Sequence, residues 1–100
     1  MSAEEKYNQI AEHLKLTENV TKGSMFGAKC MKINRKVFAM FYQDEMVFKL
    51  PPEKHQHVLS LEGAHLFEPM PGKKMKDWVS VPHQEIWEEL AKTAMIFLSK

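Results

Sequence analysis

The segment from Met25 to Leu50 constrains this chain more than any other. Three apolar stretches follow one another there, separated only by short polar groups. The pattern predicts strands over 28–33, 36–42 and 46–50. Asn34-Arg35 makes the first turn and Gln43-Asp44-Glu45 the second. A parallel crossover consumes about a dozen residues, so connections this short demand antiparallel hairpins.

Helices flank this unit. Ser2-Ala3-Glu4-Glu5 has capping-box form, and Tyr7, Ile10, Ala11 and Leu14 follow at helical spacing. The polar run from Thr17 to Gly23 reads as a connection. Pro51-Pro52 ends the third strand, because proline donates no ladder hydrogen bond. A short helix over 53–61 ends near Gly63, and strands follow over 65–68 and 75–81. Pro82 opens a last helix with a buried stripe of Ile86, Trp87, Leu90, Ala91, Ala94, Met95 and Leu98. The expected fold class is α+β, with helices packed on an antiparallel sheet of about five strands. The order is α-β-β-β-α-β-β-α. With 100 residues and no repeat or linker, residues 1–100 form one domain.

Charge and cysteine usage narrow the function classes. A net charge of +1 gives no field for steering toward nucleic acid, so that partner is not expected, although the acid-free run from Asn19 to Gln43 is basic. The single cysteine, Cys30, forms no internal disulfide and sits mid-strand as a small hydrophobe. No leader opens the chain and no apolar run approaches the roughly 20 residues that span a bilayer. The expectation is a cytoplasmic protein without a membrane partner. His55 and His57 point about 200° apart on a helix, so no metal site is expected. Asp44-Glu45 and Glu88-Glu89 read as solvated pairs. With no catalytic constellation, no catalytic residue, enzyme activity or cofactor is expected.

Several motifs together resemble a known family. They are Met25-Phe26-Gly27, Val37-Phe38-Ala39 leading into Met46-Val47-Phe48-Lys49-Leu50, Gly72-Lys73-Lys74-Met75 with Trp78-Val79, and the run from Trp87 to Ala94. In order and spacing they resemble the N-terminal domain of TfoX/Sxy proteins over almost the whole chain; small YjbR-type domains share the topology. The resemblance implies helices on an antiparallel sheet and, in longer members, a link to regulation of natural competence. Those members carry a second, helical domain, whereas this chain stops at Lys100, so the competence role is not carried over. Ala28 stands where the family often has a second glycine. The family supplies no catalytic residues.

Two binding features follow from the residues. On the second strand, alternation sends Val37, Ala39 and Phe41 one way and Phe38, Met40 and Tyr42 the other. Both faces are apolar. The second is covered either by the chain's own Met25, Phe26 or Trp78, or by another molecule. The latter makes Phe38, Met40 and Tyr42 a candidate interface for a homodimer or a protein partner. Separately, Phe26 and Gly27 near Lys73, Lys74 and Trp78 would form a shallow site for an anionic or aromatic ligand. The leading expectation is a non-enzymatic regulatory or protein-interaction domain. The alternatives are a small-molecule binding domain and a weak nucleic-acid-associated regulator.

Overall fold

In a computed structural model, which describes residues 2–25, 27–70 and 72–99, the chain forms six strands and three α-helices. Helix α1 (Ala3–Thr17) starts on the expected capping box: the Ser2 hydroxyl accepts from the Glu5 amide, and the Ser2 amide donates to the Glu5 carboxylate, both at 3.1 Å. Strands β1 (Val20–Met25), β2 (Ala28–Ile33), β3 (Lys36–Tyr42) and β4 (Glu45–Lys49) form a meander. Helix α2 (Pro52–Leu59) crosses to β5 (His65–Met70), and β6 (Lys73–Val81) returns beside β4. A short 3-10 turn (Gln84–Ile86) leads into α3 (Trp87–Ser99). The sheet is antiparallel throughout, in the order β1-β2-β3-β4-β6-β5.

The expected α+β class and element order are present, with one strand more than the five anticipated. That strand, β1, starts within the Thr17 to Gly23 stretch expected to be a connection and runs past it to Met25. It is an edge strand in which Val20 is buried while Thr21, Lys22 and Ser24 are exposed, so it carries no continuous apolar signal. Asn34-Arg35 and Gln43-Asp44 are two-residue turns with positive φ at all four positions. This is the primed geometry that matches strand twist.

Two irregularities shape the sheet. Met31 pairs with Ala39 and Lys32 with Val37, so Phe38 bulges out of the ladder. A bulged residue reverses the alternation on one side of it. Phe38 and Ala39 therefore both enter the core beneath the helices, while Val37, Met40 and Tyr42 belong to the opposite face. This corrects the simple alternation that grouped Phe38 with Met40 and Tyr42.

The second irregularity lies between β5 and β6. Leu66 pairs with Val79, but Phe67 pairs with Met75, leaving Lys76, Asp77 and Trp78 of β6 without partners on β5, although Trp78 keeps its pairing with Lys49 of β4. The hairpin consequently bends over the second face. In a flat sheet β5 would lie about 14 Å from β3, three strand spacings away. Instead the Phe67 and Tyr42 rings meet edge to face, with centroids 5.1 Å apart.

The molecule thus has three layers. All three helices contribute to the first core: Tyr7, Ile10, Ala11 and Leu14 of α1, Val58 of α2, and Trp87, Ala91, Ala94 and Met95 of α3. They pack on Met31, Phe38, Ala39, Phe48, Val79 and Val81 of the sheet. On the far face, Cys30, Met40 and Val47 are covered by Phe67 and Trp78. Trp87 anchors the start of α3 by donating its indole N–H to the Val81 carbonyl at 2.8 Å.

Tyr7 is the exception to polar satisfaction. Its ring packs on Phe41, and its hydroxyl is buried with no partner among the described residues. Burial, with a smaller contribution from Cys30, pushes its phenol well above the ordinary range. A buried unpaired polar group costs about 1–3 kcal/mol. Tyr7→Phe should therefore raise unfolding free energy by about 1 kcal/mol in urea titration; a loss of stability would show that the hydroxyl has a partner.

Candidate functional site

The bent hairpin leaves a cleft where it departs from the sheet. Tyr42 and Gln43 at the end of β3, Glu45 at the start of β4, His65 to Glu68 of β5 and Ser80 of β6 line a volume of about 330 Å³. Register brings the polar residues together. Val47 and His65 both pair with Ser80, placing β4, β6 and β5 side by side at that level.

Glu45 is the centre of the cleft. The Ser80 hydroxyl donates to Glu45 Oε1 at 2.6 Å, and His65 Nε2 lies 3.2 Å from the same oxygen. His65 Nδ1 lies 3.0 Å from the Leu66 carbonyl. Each ring nitrogen of His65 therefore faces an acceptor. A neutral imidazole donates to only one of them, and an imidazolium donates to both. Apart from the aromatic residues, Ser80 is the one buried residue of polar type among the described residues, at 3% exposure, and Glu45 accounts for its hydroxyl.

The order of these contacts decides their chemistry. In a nucleophilic relay the histidine stands between hydroxyl and carboxylate, ready to take the hydroxyl proton. Here the carboxylate stands between, and the Ser80 proton is committed to it. The arrangement holds Glu45 in place; it does not activate Ser80. With Tyr42 and Phe67 forming an aromatic corner, it has the makeup of a binding site, a few fixed polar groups beside an apolar wall.

None of these polar residues stood out in the sequence. Glu45 reads as half of a solvated turn pair and His65 only as the first residue of a strand. Their convergence depends on the β4–β6–β5 pairing, which has no local signature.

The residues singled out earlier are placed otherwise. Phe26 lies outside the described residues. Gly27 occupies the β1–β2 turn at φ +74°, and a Cβ there would meet no described heavy atom within 4 Å. Lys73 and Lys74 open β6, and their side chains lie outside the described part. Trp78 is 7% exposed, packed in the second core, with the Lys49 ammonium 5.8 Å from its ring centroid. It offers no free face for stacking. Of the three candidate interface residues, Phe38 is buried in the core under the helices, while Met40 is fully buried and Tyr42 half-buried on the far face. Of the two alternatives left open for that face, the chain's own Phe67 and Trp78 supply cover.

The basic run is also partly neutralised. Lys22 pairs with Glu12, and Lys29 with Glu4 at 2.6 Å, both acids of α1. Burial pushes the Cys30 thiol above its ordinary pKa, against the smaller pulls of Lys32 and the Gly23 amide, which opposes a thiolate there. Among the described residues no three His, Cys, Asp or Glu side chains gather in a way that could hold a metal ion. No helix among them is long and apolar enough to cross a membrane.

The TfoX N-terminal domain family matches residues 12–96. The chain belongs to the TfoX N-terminal domain family. The matched span runs from α1 to α3 and includes every strand, so the cleft is built wholly from the TfoX N-terminal domain. Comparison with curated proteins and with solved structures gave no match.

Trp78→Ala should behave as a core truncation, lowering unfolding free energy by about 3–5 kcal/mol in denaturant titration. Near-neutral stability would show that Trp78 is a surface residue after all.

Proposed function

We propose that this TfoX N-terminal domain is a non-enzymatic, regulatory binding domain that holds its ligand in the Tyr42–Glu45–His65–Ser80 cleft. One observation carries the reading: the nearly buried Ser80 hydroxyl and the His65 ring both converge on a single oxygen of Glu45. Such fixation suits a group whose task is to present a carboxylate in one orientation. A cleft of about 330 Å³ sits at the lower end of ligand-pocket volumes, so it admits a small molecule or one side chain.

Charge revises the ligand class. The sequence points to an anionic or aromatic ligand at Phe26, Gly27, Lys73, Lys74 and Trp78. The cleft instead has two carboxylates, Glu45 and Glu68, against one histidine.

A thermal-shift panel of small cationic, neutral and anionic metabolites tests the reading. A compound at 100 times its dissociation constant should stabilise the fold by about 2.7 kcal/mol. That gain should vanish in a folded Glu45→Ala variant. If nothing in the panel raises the midpoint, or if the gain survives in Glu45→Ala, the cleft is not the binding site.

A further inference from the structure

We infer that the group recognised in the cleft is a planar cation, a guanidinium, seated between Glu45 and the Tyr42 ring. This rests on the reading of the cleft as a binding site and names what it selects.

Three independent features point the same way. First, Glu45 keeps acceptor capacity. A carboxylate offers about four lone-pair positions, and both contacts within the cleft use Oε1. Oε2 takes no hydrogen bond among the described residues, and the Glu45 side chain is 29% exposed, so a ligand can reach it. The remaining positions on Oε2 suit a guanidinium, which presents several N–H groups from one plane.

Second, the wall is aromatic and fixed. Tyr42 is held edge to face against Phe67 at 82°, which sets its ring orientation. A flat cation gains from lying over such a ring, and a guanidinium is more weakly hydrated than an ammonium, so it gives up water more readily. Third, the charge inside the cleft is unbalanced. Glu68 lines the same space, and His65 is the only cation-capable side chain on the lining. A bound cation offsets the surplus negative charge.

The same chemistry has two sources, a free alkylguanidine or an arginine side chain on another protein. NMR titration of the full chain separates them, with the amides of Gln43, Glu45, Leu66 and Ser80 as reporters. The ligands are butylguanidinium, its uncharged counterpart butylurea, and a doubly blocked glycine-arginine-glycine peptide. Butylguanidinium should move these reporters, and butylurea should bind at least about tenfold more weakly, a difference of ~1.4 kcal/mol. Glu45→Gln keeps an oxygen to accept from Ser80, so it should fold as the wild type and lose about tenfold in guanidinium affinity, again ~1.4 kcal/mol. The blocked peptide binding far more tightly than butylguanidinium identifies a protein source; equal affinity identifies the free guanidine as sufficient.

Equal binding of butylurea, or undiminished binding to a folded Glu45→Gln, overturns the cation assignment while leaving the cleft as a binding site. No movement of the reporters with either guanidinium overturns the cation assignment as well. Compounds from the metabolite panel that move only residues elsewhere overturn the cleft reading itself.

Discussion

The fold depends on closing the second face of the sheet. Met40 and Val47 lie opposite one another in the centre of that face, and both are fully buried. Left open, they would expose apolar surface worth about 25 cal/mol per Å². No helix covers them, since all three helices contribute to the other core. The slip between β5 and β6 supplies the cover. By leaving Lys76 to Trp78 without partners on β5, it lets β5 turn back, so that Phe67 joins Trp78, Met40 and Cys30 in one cluster. An unpaired stretch of ladder is the cost of a second core.

The cleft follows from the same bend. Up to Leu66 and Val79 the strands stay in register, so Ser80 sits between Val47 and His65. One residue later β5 leaves the sheet. The space opened there would leave Ser80 as a buried hydroxyl beside an apolar layer, and Glu45 reaches in to satisfy it. Burying a hydroxyl without a partner is costly, so the pairing with Glu45 also stabilises the point where the hairpin turns. Structural and binding roles therefore fall on the same carboxylate. Its first oxygen serves the fold, and its second remains for a ligand.

Legibility in the sequence tracked the range of the interactions. The capping box at Ser2 and Glu5, the Asn34-Arg35 turn and the Trp87, Ala91, Ala94 and Met95 stripe of α3 are set by residues within four positions of each other and are present as read. The second turn is shorter than read, Gln43-Asp44, with Glu45 already in β4. The edge strand β1 is obscured because, among its described side chains, Val20 alone is buried, which leaves no alternation to see. The bulge at Phe38 was obscured for a different reason. Val37-Phe38-Ala39-Met40 is apolar without a break, so an inserted residue leaves no mark on the pattern. Glu45 and Ser80 stand 35 positions apart and are joined through a β4–β6 pairing that skips β5. No spacing rule connects them.

The contrast between Trp78 and Tyr42 shows why aromatic residues mislead most in such a reading. Both lie in apolar strands, and by composition either could line a site. Trp78 pairs with Lys49 of β4, and its ring lies in the second core together with Phe67 of the bent hairpin. Tyr42 is the last residue of β3, beside a turn, and stays half-exposed with its ring braced by Phe67. Position relative to the bend separates core from wall. A tryptophan beside three lysines carries the stronger chemical signal, yet the fold assigns the accessible ring to the tyrosine beside Glu45.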